Sequence, residues 1–205
     1  MTAPAGVRWW APDRAVWWVA ALFMVGSACF AVGAVPAYLD LVGVEADGVT
    51  FFVGSLFFTS AAGLQLWLSD DRAQRWAGAV QLVGTVLFNL STLDALQSSL
   101  SADQADHRVW TPDVLGSIAF LVASALAYAG VRRPWLRWRP RDLGWSITTL
   151  NMVGSIAFGV SAAASYVLSD DTLRDAQRAN VGTFVGAVCF LVGAALLIPA
   201  GEQGW

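Results

Sequence analysis

Six apolar runs, each roughly twenty residues long, divide this chain at 15–38, 49–68, 76–96, 111–131, 144–168 and 180–198. Charged residues gather in the short stretches between them. A helix rises about 1.5 Å per residue, so each run can cross the ~30 Å hydrocarbon layer of a bilayer. The pattern predicts an all-α polytopic membrane protein with six transmembrane helices. Thr111, Pro112 and Asp113 read as the start of the fourth span, a cap hydroxyl followed by Pro at the first helical position. Trp17 and Trp18 open the first span, where an amphipathic ring suits the headgroup level.

One motif recurs inside every run. An aliphatic residue, Gly, a small residue, two further residues and Phe occur at 25–30, 53–58, 83–88, 115–120, 153–158 and 185–190. Counting from Gly26, Gly54, Gly84, Gly116, Gly154 and Gly186, position +4 is always Phe. Position +7 is always small: Gly33, Ala61, Ser91, Ala123, Ser161 and Gly193. These positions share one helical face. Helices in lipid gain nothing from excluding water, so they associate where small residues let backbones approach. The seam therefore reads as helix packing, with a Phe of one helix beside the Gly of another. Lining a cofactor is the alternative.

Position +1 carries Ser27, Ser55, Thr85, Ser117, Ser155 and, breaking the pattern, Ala187. A hydroxyl in an apolar helix commonly bonds back to the carbonyl four residues earlier. Two spans are more polar on this side. The third holds Gln81, Thr85, Asn89 and Thr92, and the fifth holds Thr148, Asn151 and Ser155. Amides at membrane depth must be paired or face water. They read either as interhelical glue between the third and fifth spans or as a polar site for a headgroup or small solute. Asp94 is the one carboxylate inside a predicted span. It lies about 28 Å of helix beyond Arg75, and so reads as an interfacial residue or a site residue.

A longer repeat underlies the motif. Trp10, Pro12, Trp17, Met24, Val25, Gly26, Ser27 and Phe30 recur 128 positions later as Trp138, Pro140, Trp145, Met152, Val153, Gly154, Ser155 and Phe158. Phe52, Val53 and Gly54 recur 132 positions later as Phe184, Val185 and Gly186. The six spans thus read as three hairpins, 15–68, a diverged 76–131, and 144–198, in one transmembrane domain with internal duplication.

Composition agrees with this reading: 57% of residues are hydrophobic and 13% charged, against about 25% charged in soluble domains, with a mean hydropathy of +0.57. The first run is too long for a signal-peptide core and no A-x-A-like site follows it, so no cleavable signal is expected. Nine of the twelve Arg fall on the N-terminal side of the odd-numbered spans and three on the other side, which puts both termini in the cytoplasm. The densest cluster, Arg132 to Arg141, is also suited to anionic lipid headgroups. Cys29 and Cys189 lie deep in apolar runs, with no disulfide or zinc spacing. Asp103, Asp106 and His107 match no metal-ligand pattern. No nucleophile–base pair, phosphate loop or dinucleotide fingerprint is present, so neither a catalytic residue nor a cofactor is expected, and the chain shows no nucleic-acid partner.

The Gly-Ser-x-x-Phe hairpins, with Val153, Gly154, Ser155 and Phe158 followed by Phe184, Val185 and Gly186, resemble the YrhK-like domain family of bacterial membrane proteins. The resemblance is best over 145–198 and returns in 17–68. Ala187 departs from the usual small hydroxyl. It implies helical-hairpin architecture in a bacterial inner membrane and no particular activity. Two function classes follow. One is a non-enzymatic bundle that binds membrane lipid, another membrane protein or itself. The other is a small-solute transporter or channel lined by the polar columns of the third and fifth spans. An enzyme ranks behind both.

Overall fold

The computed structural model describes residues 7–97, 99–130, 141–168, 170 and 172–201. Six helices are long and apolar enough to cross a membrane: Ala15–Gly33, Val44–Leu68, Arg72–Asp94, Ala102–Gly130, Leu143–Ala164 and Ala176–Gly201. The chain is an all-α polytopic membrane protein. The predicted end of the fourth span at Val131, the basic segment 132–140 and the tail 202–205 lie outside the described residues.

Local chemistry sets the helix ends. Helix α1 (Ala15–Gly33) stops well before the predicted residue 38. Pro36 has no N–H and drives its predecessor out of the helical region, and Val35 is extended at ψ 116°. Pro36 then opens a short helix, α2 (Pro36–Val42). Gly43 turns the chain at φ +81°, a conformation that side chains resist. Helix α3 (Val44–Leu68) follows, so the predicted loop 39–48 is largely helical. Asp71 caps α4 (Arg72–Asp94) by accepting from the Ala73 and Gln74 N–H groups. Asp142 likewise caps α7 (Leu143–Ala164). That helix ends four residues short of the predicted 168, and α8 (Ala176–Gly201) begins four before the predicted 180.

The fourth span departs furthest from expectation. Thr111 does not start a helix. A short helix α5 (Ala102–Ala105) runs into a π turn at Asp106–Trp110 and directly on into α6 (Thr111–Gly130). Pro112 would remove a helical hydrogen bond and push its ring against the carbonyl of Arg108. The π turn supplies the extra residue that lets the helix pass this point. The Thr111 N–H reaches the Asp106 carbonyl, five residues back, and its hydroxyl donates to the same oxygen at 2.8 Å.

The spanning helices form a closed ring in the order α1, α3, α4, α6, α7, α8 and back to α1. Within it, the motif glycines meet in pairs. A Cβ added to Gly26 would stand 2.9 Å from the Gly54 carbonyl oxygen, and one on Gly54 would stand 3.2 Å from that of Gly26. Gly84 and Gly116 show 3.1 Å in both directions, and Gly154 and Gly186 show 3.1 and 3.0 Å. Such separations leave no room for a side chain, which is how close backbone packing in lipid works. The residue before each Gly (Val25, Val53, Val83, Leu115, Val153, Val185) faces outward and is exposed.

The six motif Phe residues converge on the axis, each 7% exposed or less. Phe30, Phe88 and Phe158 form one triangle, with ring centroids 6.0–6.4 Å apart. Phe58, Phe120 and Phe190 form a second, at 5.7–6.4 Å. The triangles are joined along the edges Phe30–Phe58, Phe88–Phe120 and Phe158–Phe190 at 5.1–5.5 Å. The result is a triangular prism of rings that fills the middle of the bundle. One triangle comes from α1, α4 and α7, and the other from α3, α6 and α8.

Candidate functional site

The Phe30, Phe88 and Phe158 triangle is the floor of a cavity of about 670 Å³. It sits at the end of the bundle where α1, α4 and α7 terminate. Its walls carry Ser91 and Thr92 from α4, Trp110 and Asp113 around the π turn, Ser161 and Ser165 at the end of α7, and Asn180 and Thr183 from α8. Cavities of this size suit a small-molecule ligand.

Several hydrogen bonds hold the walls. Ser161 donates to the Ala179 carbonyl at 2.7 Å and shares a 2.7 Å bond with the Thr183 hydroxyl, tying α7 to α8. Ser91 donates to the Val109 carbonyl at 2.9 Å, tying α4 to the π turn. The Trp110 indole donates to the Ala162 carbonyl at 2.8 Å and meets Tyr166 edge-on at 5.0 Å. A turn follows α7, in which Leu168 N–H donates to Thr172 O and Arg174 N–H to Tyr166 O, both at 2.8 Å. Val167 and Leu173 from this turn lie over the cavity. Asp106 anchors it by accepting from the Val167 N–H at 3.3 Å. The same carboxylate pushes the Tyr166 phenol above its ordinary range.

Asp113 is the residue that sequence reading missed as a site. Because Gly84 and Gly116 are in contact, depths on α4 and α6 can be compared directly. Asp113 is three residues, about 4.5 Å, from that level, whereas Asp94 is ten residues, about 15 Å, away. Asp94 closes α4 and accepts from the Gln97 amide at 2.7 Å, the behaviour of an interfacial residue. It is not the one carboxylate inside a span. The fourth span reaches back to Ala102 and includes Asp103, Asp106 and Asp113, and the second includes Glu45 and Asp47. Reading Pro112 as a helix start left Asp103 and Asp106 outside the span and made Asp113 a first-turn residue at its edge. The polar wall hydroxyls were legible at motif position +7, where Ser91 and Ser161 stand.

The predicted polar columns do not meet. Around the ring, α4 lies between α3 and α6, and α7 between α6 and α8. The Asn89 amide donates to Thr59 of α3 at 2.9 Å. The Asn151 side chain lies over Gly193 of α8, whose added Cβ would be 3.0 Å from its Oδ1. Gln81 is half-buried and makes no side-chain hydrogen bond among the described residues. The expected glue between the third and fifth spans is replaced by separate contacts to each helix's own neighbour.

The +1 hydroxyls do not follow the simple back-bonding expectation either. Thr85 donates to Leu82 O at 2.8 Å and Ser55 to Phe52 O at 2.7 Å, three residues back rather than four. Ser55 also shares a bond with Thr92 at 3.0 Å, and Ser155 one with Ser124 at 2.8 Å. Both partners stand eight residues after the Gly of the adjacent helix. Where that eighth residue is Ala, as at Ala194 of α8 and Ala162 of α7, the buried Ser27 and Ser117 hydroxyls have no partner among the described residues.

Among the described residues, no three His, Cys, Asp or Glu side chains gather as a metal site. Asp103 and His107 form an exposed pair at 3.6 Å. No protein family, curated protein or solved structure matches this chain.

Proposed function

We propose that this protein is a non-enzymatic membrane bundle that holds a small amphiphilic molecule, such as a lipid-derived one, in the cavity above the Phe30, Phe88 and Phe158 triangle. One observation carries the reading: the cavity has hydroxyl, amide and carboxylate walls but ends blind on packed aromatic rings. A polar head fits the walls and an apolar body fits the floor. The rings that fill the axis favour binding over conduction. So does the placement of Asn89 and Asn151, which turn to different neighbours instead of lining a shared path. Three duplicated hairpins, 15–68, 76–131 and 144–198, fit the reciprocal glycine contacts within each pair. The Arg bias supports cytoplasmic termini and so places the cavity on the outer side. The Gly-Ser-x-x-Phe hairpins support a YrhK-like chain in a bacterial inner membrane.

Native mass spectrometry of the protein released from nanodiscs tests the reading. A bound mass should be seen with the wild type and lost from Ala95→Trp, which fills the cavity at the exposed end of α4. Absence of a bound molecule in the wild type, or its full retention by Ala95→Trp, would refute it. Solute flux through liposomes carrying the wild type would favour the transporter instead.

A further inference from the structure

Resting on that reading, we infer that the cavity selects a cationic head: an organic ammonium carried on an apolar body, held by Asp113. Asp113 is the one ionisable side chain lining the cavity among the described residues. Among the described residues, no Arg or His shares the cavity with it. Its protein partner is the Ser165 hydroxyl, 3.4 Å from Oδ2. That hydroxyl has a single proton, and the Ala162 carbonyl competes for it at 3.0 Å. The shorter contact takes the proton, so the carboxylate is left almost without a donor. A half-buried carboxylate facing a cavity gains most from a cation that joins it there, and ionisable groups at membrane depth commonly mark ligand sites.

The surroundings narrow the cation. Metal ions such as Ca²⁺ take six to eight oxygen ligands, carboxylates prominent among them, and here a single carboxylate is accompanied only by neutral hydroxyls and amides. Phe30, Phe88, Phe158 and Trp110 line the same space. Aromatic rings attract ammonium groups within about 6 Å of their centroids and also pack against an apolar body. A carboxylate for charge and rings for the remainder together describe an alkyl or aryl ammonium.

The test uses benzyltrimethylammonium, its uncharged isostere neopentylbenzene, and benzylsulfonate. Each is titrated by calorimetry into the full chain in nanodiscs of zwitterionic lipid. The ammonium should bind at least tenfold more tightly than neopentylbenzene, and the sulfonate more weakly than both. Asp113→Asn should bring the ammonium and neopentylbenzene within about twofold while leaving neopentylbenzene binding intact, which also shows that the variant is folded. Asp113→Glu should keep part of the preference. Equal binding of charged and uncharged probes to the wild type would overturn the cation assignment and leave a binding cavity standing. So would a preference that survives Asp113→Asn. Failure of all three probes to bind would overturn the cavity reading as well.

Discussion

Replacing Phe158 by Ala tests whether the ring prism holds the bundle together. Phe158 is 5% exposed. Its ring stacks on Phe190 at 5.5 Å and meets Phe30 and Phe88 at 6.0 Å. The substitution removes roughly 100 Å³ of side chain, and at about 24 cal/mol per Å³ of unfilled cavity this costs about 2.4 kcal/mol. The water-transfer part of the usual penalty largely drops out, because unfolded helices in lipid are already in an apolar medium. Lost ring–ring geometry adds about 0.5 kcal/mol or more, while relaxation of neighbouring rings recovers part. The expected loss is about 2–3 kcal/mol, read as the shift in reversible SDS unfolding from bicelles. The internal control is Val153→Ala, on the same helix but 46% exposed, which should cost under ~0.5 kcal/mol. Equal midpoints for the two variants would refute a packed aromatic axis. Phe158→Ala and Phe190→Ala should also be non-additive, since touching residues couple.

Gly186→Ala should lower the unfolding midpoint clearly, because its Cβ would stand 2.6 Å from the Phe158 ring and 3.0 Å from Gly154 O. Gly63→Ala, with nothing within 4 Å, should be neutral or slightly stabilising. A double-mutant cycle of Asn89→Leu and Thr59→Val should give a coupling of about 0.6 kcal/mol and no more than about 1.7, whereas Asn89→Leu and Asn151→Leu should add independently. Detectable coupling in the second cycle would contradict the ring order. Reporter fusions after Gly43, His107 and Asp175 should report the outer side, and one after Trp205 the inner side.

Much of the architecture could be read from residue spacing alone. The invariant Phe at +4 and the small residue at +7 are buried in all six helices, because a face shared by Gly, Phe and a small residue has one good use between close-packed helices. The gathering of all six rings at one point was not legible, since the motif says what a face packs against but not how many faces share a centre. The helix neighbours were hidden for the same reason, and with them the partners of Asn89 and Asn151. The place of Asp113 in the site is hidden by a local pattern. Thr111-Pro112 resembles a helix start, but the π turn absorbs the Pro and carries the helix past it. The short α2 was missed because apolar residues on both sides of Pro36 read as one run.

A centre made of two triangles facing opposite ways keeps no record of direction. Turned end over end, the bundle would present the same six rings in the same arrangement to the same hydrocarbon. The sense of insertion is therefore left to residues that never touch the axis, chiefly the arginines between helices. Moving a few of those charges would reverse the chain without disturbing its interior. The chamber beside Asp113 would then open to the opposite compartment, so a handful of surface substitutions would change which side of the membrane it faces.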